Sequence, residues 1–217
     1  VTSNGAQLNV QQNVVIGTAP VAATGCEGST VSYSVSATGS SLTYVWEEDN
    51  GGGFTAIVNG GIYSGATSAT LTLSGITSAM NGYDYRVTVA NGAPSVCVAS
   101  STPADVNLTV NEVPEITVQP VSSTICETTN TSFTVNAGVT TVPTYQWQES
   151  TNGGSSYSNV VDGGIYSGAT LATLTLTGVP LVNNGYLYRV IVGGTCSPVV
   201  TSNGAQLNVQ QNVVIGT

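Results

Sequence analysis

Lysine and histidine are both missing from this sequence of 217 residues, and its only cations are Arg86 and Arg189. There is consequently no imidazole base, no Schiff-base amine, no phosphate-loop lysine and no histidine metal ligand, so most acid–base and nucleophilic constellations cannot be assembled. Intramolecular lysine isopeptide bonds, which need the same amine, are chemically impossible. Charged residues are 6% of the chain and the formal net charge is −9. That balance leaves no basic face for nucleic-acid phosphates or an anionic membrane surface. No apolar run approaches the roughly 20 residues that span a bilayer. No segment keeps a 3.6-residue apolar period, which removes amphipathic helices from the expected fold. No catalytic residue, metal or cofactor is assigned.

What is present is repetition. Val1 to Thr18 recurs unchanged as Val200 to Thr217, an offset of 199 residues. A weaker self-similarity at about 100 residues runs inside that period, giving two domains per period. Both ends then read as cuts through a longer tandem array. The expected division is residues 1–10 as the last strand of a preceding domain, 11–110 and 111–209 as two domains, and 210–217 as the start of the next. Val10 to Val14 aligns with Val110 to Pro114, with no Gly/Ser spacer between. A junction that short predicts a semi-rigid rod.

Short segments of alternating apolar residues, such as Val31-Ser-Tyr33-Ser-Val35 and Tyr85-Arg-Val87-Thr-Val89, lie between Gly- and Asn-rich punctuation. Period two at this spacing means half-buried strands, and Asn-Gly pairs supply the positive φ of tight turns. The fold class is therefore all-β, with tandem sandwich domains.

Aligning the halves shows what each domain needs. Tyr44-Val-Trp46-Glu-Glu48 matches Tyr145-Gln-Trp147-Gln-Glu149. Gly60 to Thr67 recurs as Gly163 to Thr170, and Gly82 to Val87 matches Gly185 to Val190. In order these fit the strands of an Ig-like domain, with Trp46 and Trp147 as core residues of the third strand. Tyr85 and Tyr188, near the start of the sixth, fit a tyrosine corner. The four cysteines fall two per domain, Cys26 with Cys97 and Cys126 with Cys196, a distribution that reads as disulfides in an oxidising, extracellular setting. No CxxC spacing supports zinc.

The motifs CEG, YxWxE, YSGAT, LTL, NGYxYRV and SNGAQLNV together resemble the Ig-like tandem repeats of giant Bacteroidetes cell-surface adhesins of the gliding-motility type. The resemblance covers essentially the whole chain. It implies export and display on a bacterial surface, and a stalk or spacer whose partners are neighbouring repeats and possible surface polysaccharide or other cells. The cysteines depart from the antibody pattern, since Tyr33, Val35 and Val87 stand where the usual inter-sheet pair belongs. One expectation is an intradomain bond in each domain, Cys26–Cys97 and Cys126–Cys196, worth roughly 4 kcal/mol by loop entropy. The start of the second strand and the sixth-to-seventh turn normally lie at opposite poles, however. The other expectation therefore pairs Cys26 with Cys196 across the junction, with Cys97 and Cys126 reaching neighbours.

Arg86 and Arg189 occupy one aligned position. They are expected to pair with Glu48 and Glu149 across strands, unless alternation puts them on opposite faces. Glu47-Glu48-Asp49-Asn50 is the densest acidic cluster, but the second domain lacks it, so a solvated hairpin is expected in preference to a repeat-wide Ca²⁺ site. Most tyrosines recur in both halves, which favours packing over a sugar-binding platform. Two rival roles follow from the same residues: a self-assembling subunit that donates residues 1–10 to a neighbour's sheet, and a carbohydrate-binding module.

Overall fold

The computed structural model describes residues 4, 5, 8, 10–92 and 100–212. Most of the expected preceding strand at 1–10, Cys97, and residues 213–217 lie outside the described residues. The chain divides into two compact units, Val1–Asn111 and Glu112–Thr217.

In the first unit the strands are β1 (Val15–Thr18), β2 (Ala23–Cys26), β3 (Thr30–Ser34), β4 (Ser36–Thr38), β5 (Leu42–Asp49), β6 (Thr55–Ala56), β7 (Tyr63–Ser64), β8 (Thr70–Ser74), β9 (Asp84–Asn91), β10 (Ser100–Ser101) and β11 (Val106–Asn111). One sheet runs β2-β11-β9-β5-β6, with β10 also on β9; the other runs β3-β8-β7, and β1 pairs β4. Period two does the sorting. Buried and exposed residues alternate strictly through β3, and β9 and β11 bury every second side chain, so each sheet turns one face inward. Between the sheets lie Tyr33, Trp46, Leu71, Leu73, Tyr85 and Leu108, all essentially unexposed.

The second unit repeats this plan with β12 (Ser123–Cys126), β13 (Thr131–Thr134), β14 (Thr144–Ser150), β15 (Ser158–Asn159), β16 (Tyr166–Ser167), β17 (Thr173–Leu176), β18 (Leu187–Gly193), β19 (Val200–Thr201) and β20 (Ala205–Gln210). Its sheets run β12-β20-β18-β14-β15 and β13-β17-β16. In both units the first strand of the larger sheet lies parallel to the last: β2 on β11 and β12 on β20. Each unit is an Ig-like β-sandwich.

The shared motifs are the residues that fix these paths. Gly65 has φ +77 and Gly168 φ +81, and a Cβ there would sit 2.1 Å from Thr70 O or 2.3 Å from Thr173 O. Only glycine fits, which explains YSGAT in both halves. The Asn of each NGY motif works through its side chain: Asn81 Oδ1 accepts from Val110 N and Asn184 Oδ1 from Val209 N, each at 2.9 Å. Those bonds fasten the last strand of each unit to the turn before β9 or β18. The indoles are satisfied likewise, Trp46 Nε1 donating to Ser68 O and Trp147 Nε1 to Leu171 O, both at 2.9 Å.

An aromatic pair bridges the two sheets of each unit. Tyr33 on β3 stacks on Tyr85 of the opposite sheet with centroids 5.0 Å apart, and Phe133 stacks on Tyr188 at the same distance. Such pairs contribute about 0.5–1.5 kcal/mol beyond area burial.

Candidate functional site

The charged and aromatic residues singled out from sequence gather on the β5–β9 and β14–β18 ladders. Antiparallel register sets Glu47 opposite Arg86 and Glu48 opposite Tyr85. The ion pair therefore forms one position from where it was expected: Arg86 Nε donates to Glu47 Oε2 at 2.8 Å. In the second unit Arg189 lies opposite Gln148 and donates to its Oε1 at 2.9 Å. The pairings Arg86–Glu48 and Arg189–Glu149 do not form, because alternation turns those glutamates to the other face of the sheet. Each guanidinium is also capped by a ring, Arg86 over Phe54 at 3.8 Å and Arg189 over Tyr157 at 3.7 Å. A planar cation on an aromatic face is held by the ring quadrupole. Both arginines are thus engaged in packing the hairpin onto its sheet.

Glu48 and Glu149 point inward to a tyrosine cluster. Tyr63 donates to Glu48 Oε2 at 2.5 Å and Tyr166 to Glu149 Oε2 at 2.6 Å. The hydroxyls of Tyr166 and Tyr188 lie 3.1 Å apart, and Asn183 Nδ2 donates to Tyr166 at 3.4 Å. The hydroxyl of Tyr188 thus meets another phenol, where a tyrosine corner would meet backbone. Burial first, and the nearby Glu149 carboxylate, push the Tyr188 phenol up to about 12. Burial first, then neighbouring carboxylates and phenols, raise Tyr63, Tyr85 and Tyr166 further. In the first unit Tyr33 is raised by burial and then by Asp84, and its buried hydroxyl has no hydrogen-bond partner. Trp46, Trp147, Tyr85 and Tyr188 are all fully buried.

The acidic hairpin is dispersed by its own hydrogen bonds. Glu47 faces Arg86, Glu48 faces Tyr63, and Asp49 Oδ1 accepts from Gly51 N at 2.7 Å and Gly53 N at 2.8 Å. Three successive carboxylates therefore serve three different donors, and no shared oxygen cage is assembled from them.

Cys26 and Cys196 are disulfide-bonded, whereas Cys126 is an exposed free thiol. The expected Cys126–Cys196 bond is not made, and the fold supplies the reason. Cys126 ends β12 opposite Gln210, where the chain leaves the unit. Cys196 is 3% exposed in the loop after β18, beside Thr195, whose N–H donates to Thr141 O next to the start of β14. The two cysteines sit at opposite poles of one sandwich.

Sequence reasoning missed the rings over the arginines. The signal was there, because each half carries one aromatic, Phe54 or Tyr157, between its YxWxE motif and its Gly-Gly pair. It also missed Glu47 and Gln148 as the arginine partners.

A family described as "Domain of unknown function (DUF8696)" matches residues 116–211. No curated protein matches the sequence. Among solved structures, the I-band fragment I67-I69 from titin is similar over 94% of this chain and 67% of that one, with a TM-score of 0.70 and 16% identity. DIP-gamma IG1+IG2 is similar over 92% of this chain and 99% of that one, at a TM-score of 0.59 and 13% identity. Extracellular domains 3-5 of Drosophila OTK are similar over 91% of this chain and 62% of theirs, at a TM-score of 0.55 and 17% identity. Among the described residues no helix is long and apolar enough to cross a membrane. At these identities the likeness is one of fold, and the fold is a tandem of Ig-like domains.

Proposed function

We propose that the chain is a repeating segment of a bacterial surface fibre, a stalk or spacer of alternating paired Ig-like sandwiches that projects or multiplies adhesive contacts outside the cell. One observation carries the reading: the eighteen residues Val1–Thr18 return without change at Val200–Thr217. An exact recurrence one period apart is what a tandem array produces. The inward use of the motifs repeated in both halves supports it, since glycines, asparagines, arginines and tyrosines alike hold each sandwich together. Weak contacts repeated along such a fibre add up through effective concentration. The resemblance to giant adhesin repeats supports bacterial surface display, and the disulfide-bonded Cys26 and Cys196 support an oxidising environment.

Strand donation by residues 1–10 is less well supported. Each unit already holds its own last strand, β11 beside β9 and β20 beside β18, so the corresponding slot is filled. A carbohydrate-binding role is less well supported too, because the hairpin rings Phe54 and Tyr157 each give one face to a guanidinium group.

The reading is tested by deleting one 199-residue period from the native gene. The expected result is an unchanged amount of surface protein, unchanged adhesion per molecule and a shorter fibre in electron micrographs. Adhesion abolished by removal of a single period would assign the binding head to this segment and overturn the spacer role.

A further inference from the structure

We propose that Asn203 is a modification site, at which the Asn203-Gly204 pair converts without an enzyme, through a succinimide, to aspartate and isoaspartate, while hydrogen bonds shield six other Asn-Gly pairs from the same reaction. The site belongs to the second unit by itself and does not depend on the array.

In an Asn-Gly pair the glycine nitrogen attacks the asparagine Cγ. A new C–N bond closes the five-membered succinimide, and the side-chain nitrogen leaves as ammonia. Water then opens the ring at one of its two carbonyls. One opening gives aspartate; the other gives isoaspartate, in which the main chain runs through Cβ and Cγ and gains a methylene. The sum is asparagine plus water going to a carboxylic acid plus ammonia, with nothing oxidised or reduced. Glycine, lacking Cβ, is the least hindered nucleophile for this step. Any hydrogen bond that ties the glycine N–H or the asparagine amide has to open first, so the fold controls the rate.

Asn-Gly occurs eight times in the sequence. Asn4-Gly5 is flanked on both sides by undescribed residues, which leaves seven pairs to compare. At five of them the nucleophile is engaged. Gly51 N donates to Asp49 Oδ1 at 2.7 Å, and Gly60 N to Tyr63 O and Gly82 N to Leu108 O, both at 2.9 Å. Gly92 N donates to Ser41 O at 2.6 Å and Gly185 N to Leu207 O at 2.8 Å. The amides of Asn59, Asn81 and Asn184 are fixed as well, because their Oδ1 atoms accept from Ala66 N, Val110 N and Val209 N. At a sixth pair the electrophile is held. Asn152 Oδ1 accepts from Ser150 Oγ and Ser156 N, each at 2.9 Å, and its Nδ2 donates to Ser156 Oγ at 2.7 Å.

Asn203-Gly204 differs from all six. Both residues are exposed. Asn203 is anchored through its main chain alone, N donating to Gln119 Oε1 at 2.9 Å and O accepting from Ser202 Oγ at 3.0 Å. Its side-chain amide and Gly204 N make no hydrogen bond among the described residues. Electrophile and nucleophile are thus both untied at this one pair.

The position also determines what the reaction does. Ser202 and Ala205, on either side of the pair, are buried, and Gln206 N donates to Ser122 Oγ at 2.9 Å. The methylene of isoaspartate therefore enters between two fixed amides, Asn203 N and Gln206 N, at the entry to β20. It pulls on the bonds that fasten this entry to the segment before β12, and a new carboxylate comes with it.

The test incubates the folded 217-residue chain in warm, mildly alkaline buffer, digests it with pepsin and follows each Asn-Gly peptide by mass spectrometry, with the same incubation in urea as reference. In the folded chain Asn203 is expected to convert about tenfold or more faster than any of the six shielded asparagines, and in urea the seven rates should converge. A shielded asparagine that converts as fast as Asn203 in the folded chain overturns the proposal, and so does a spread of rates that persists unchanged in urea. Asn203→Gln should remove the early conversion and leave the other six rates as they were; early conversion elsewhere in that variant counts against the assignment. By hydrogen exchange, the aged chain should lose protection at the Gln206 amide while Asn203→Gln, aged alongside, keeps it. Undiminished protection in a chain that carries isoaspartate at 203 would refute the loosening of β20.

Discussion

In the first unit the ring stacked on the sixth-strand tyrosine is Tyr33, and in the second it is Phe133. The two pairs lie at the same 5.0 Å with tilts of 27° and 26°, and the rings meet Trp46 and Trp147 at 6.3 and 6.4 Å. The first unit carries Met80 where the second carries Asn183, whose amide reaches Tyr166. An ion pair, Arg86–Glu47, in one becomes a neutral acceptor, Arg189–Gln148, in the other. What stays constant is shape: ring volume, glycine φ and the hydrogen bonds that steer backbone. What varies is where polar atoms sit inside that shape. Close packing constrains volume more tightly than it constrains a single hydroxyl.

The comparison is broken hardest by removing what both units share. Trp46→Ala or Trp147→Ala leaves a large cavity and is expected to cost the affected unit about 3–5 kcal/mol. Urea unfolding followed by the remaining tryptophan should show the untouched unit keeping its midpoint. Equal loss in both units would mean that they do not unfold as separate bodies.

Alkaline pH should separate the units next. The fold favours the neutral phenol of Tyr188, raised from 10.0 to about 12, so its contribution is intact below pH 10 and is lost as pH rises through 12. That is on the order of 2–3 kcal/mol at 1.36 kcal/mol per unit. The first unit has raised phenols at Tyr33, Tyr63 and Tyr85, one more than Tyr166 and Tyr188 in the second. Its stability should fall more steeply above pH 10, and Tyr33→Phe should bring the two slopes together. Parallel slopes in the unmodified chain would contradict this.

Exchanging the stacked ring sharpens the same point. Phe133→Tyr buries a hydroxyl and should destabilise the second unit by about 1–3 kcal/mol, whereas Tyr33→Phe should be neutral or stabilise the first by about 1 kcal/mol. Opposite signs in denaturant midpoints are the expected outcome; losses in both directions would show that Tyr33 has a partner. Smallest is the salt effect. Raising ionic strength should weaken the Arg86–Glu47 contact slightly and leave Arg189–Gln148 unmoved, read as a small midpoint shift confined to the first unit.

Much of this fold was legible because alternation and internal repetition are local signals. Val31 to Val35 and Tyr85 to Val89 read directly as strands, and the Gly-Gly-Ile-Tyr-Ser-Gly pattern stood out by its recurrence in both halves. Cross-strand register was not legible. Glu47 and Glu48 are both acidic, so nothing local says which faces Arg86, and a shift of one residue reverses the face. Cysteine pairing was illegible for a related reason. It depends on which pole each loop reaches, and sequence spacing alone does not distinguish Cys126 at one end from Cys196 at the other. The phenol cluster was hidden too, since Tyr63 and Tyr85 meet only after two sheets have packed.

The central claim is periodicity, and the uninterrupted reading frame around this sequence, together with the mass of the mature protein, tests it most directly. An alternating array predicts further copies of the 199-residue period and a mature mass several times the 21.9 kDa of this chain. A mature protein of about 21.9 kDa, with no further period in the frame, would contradict it.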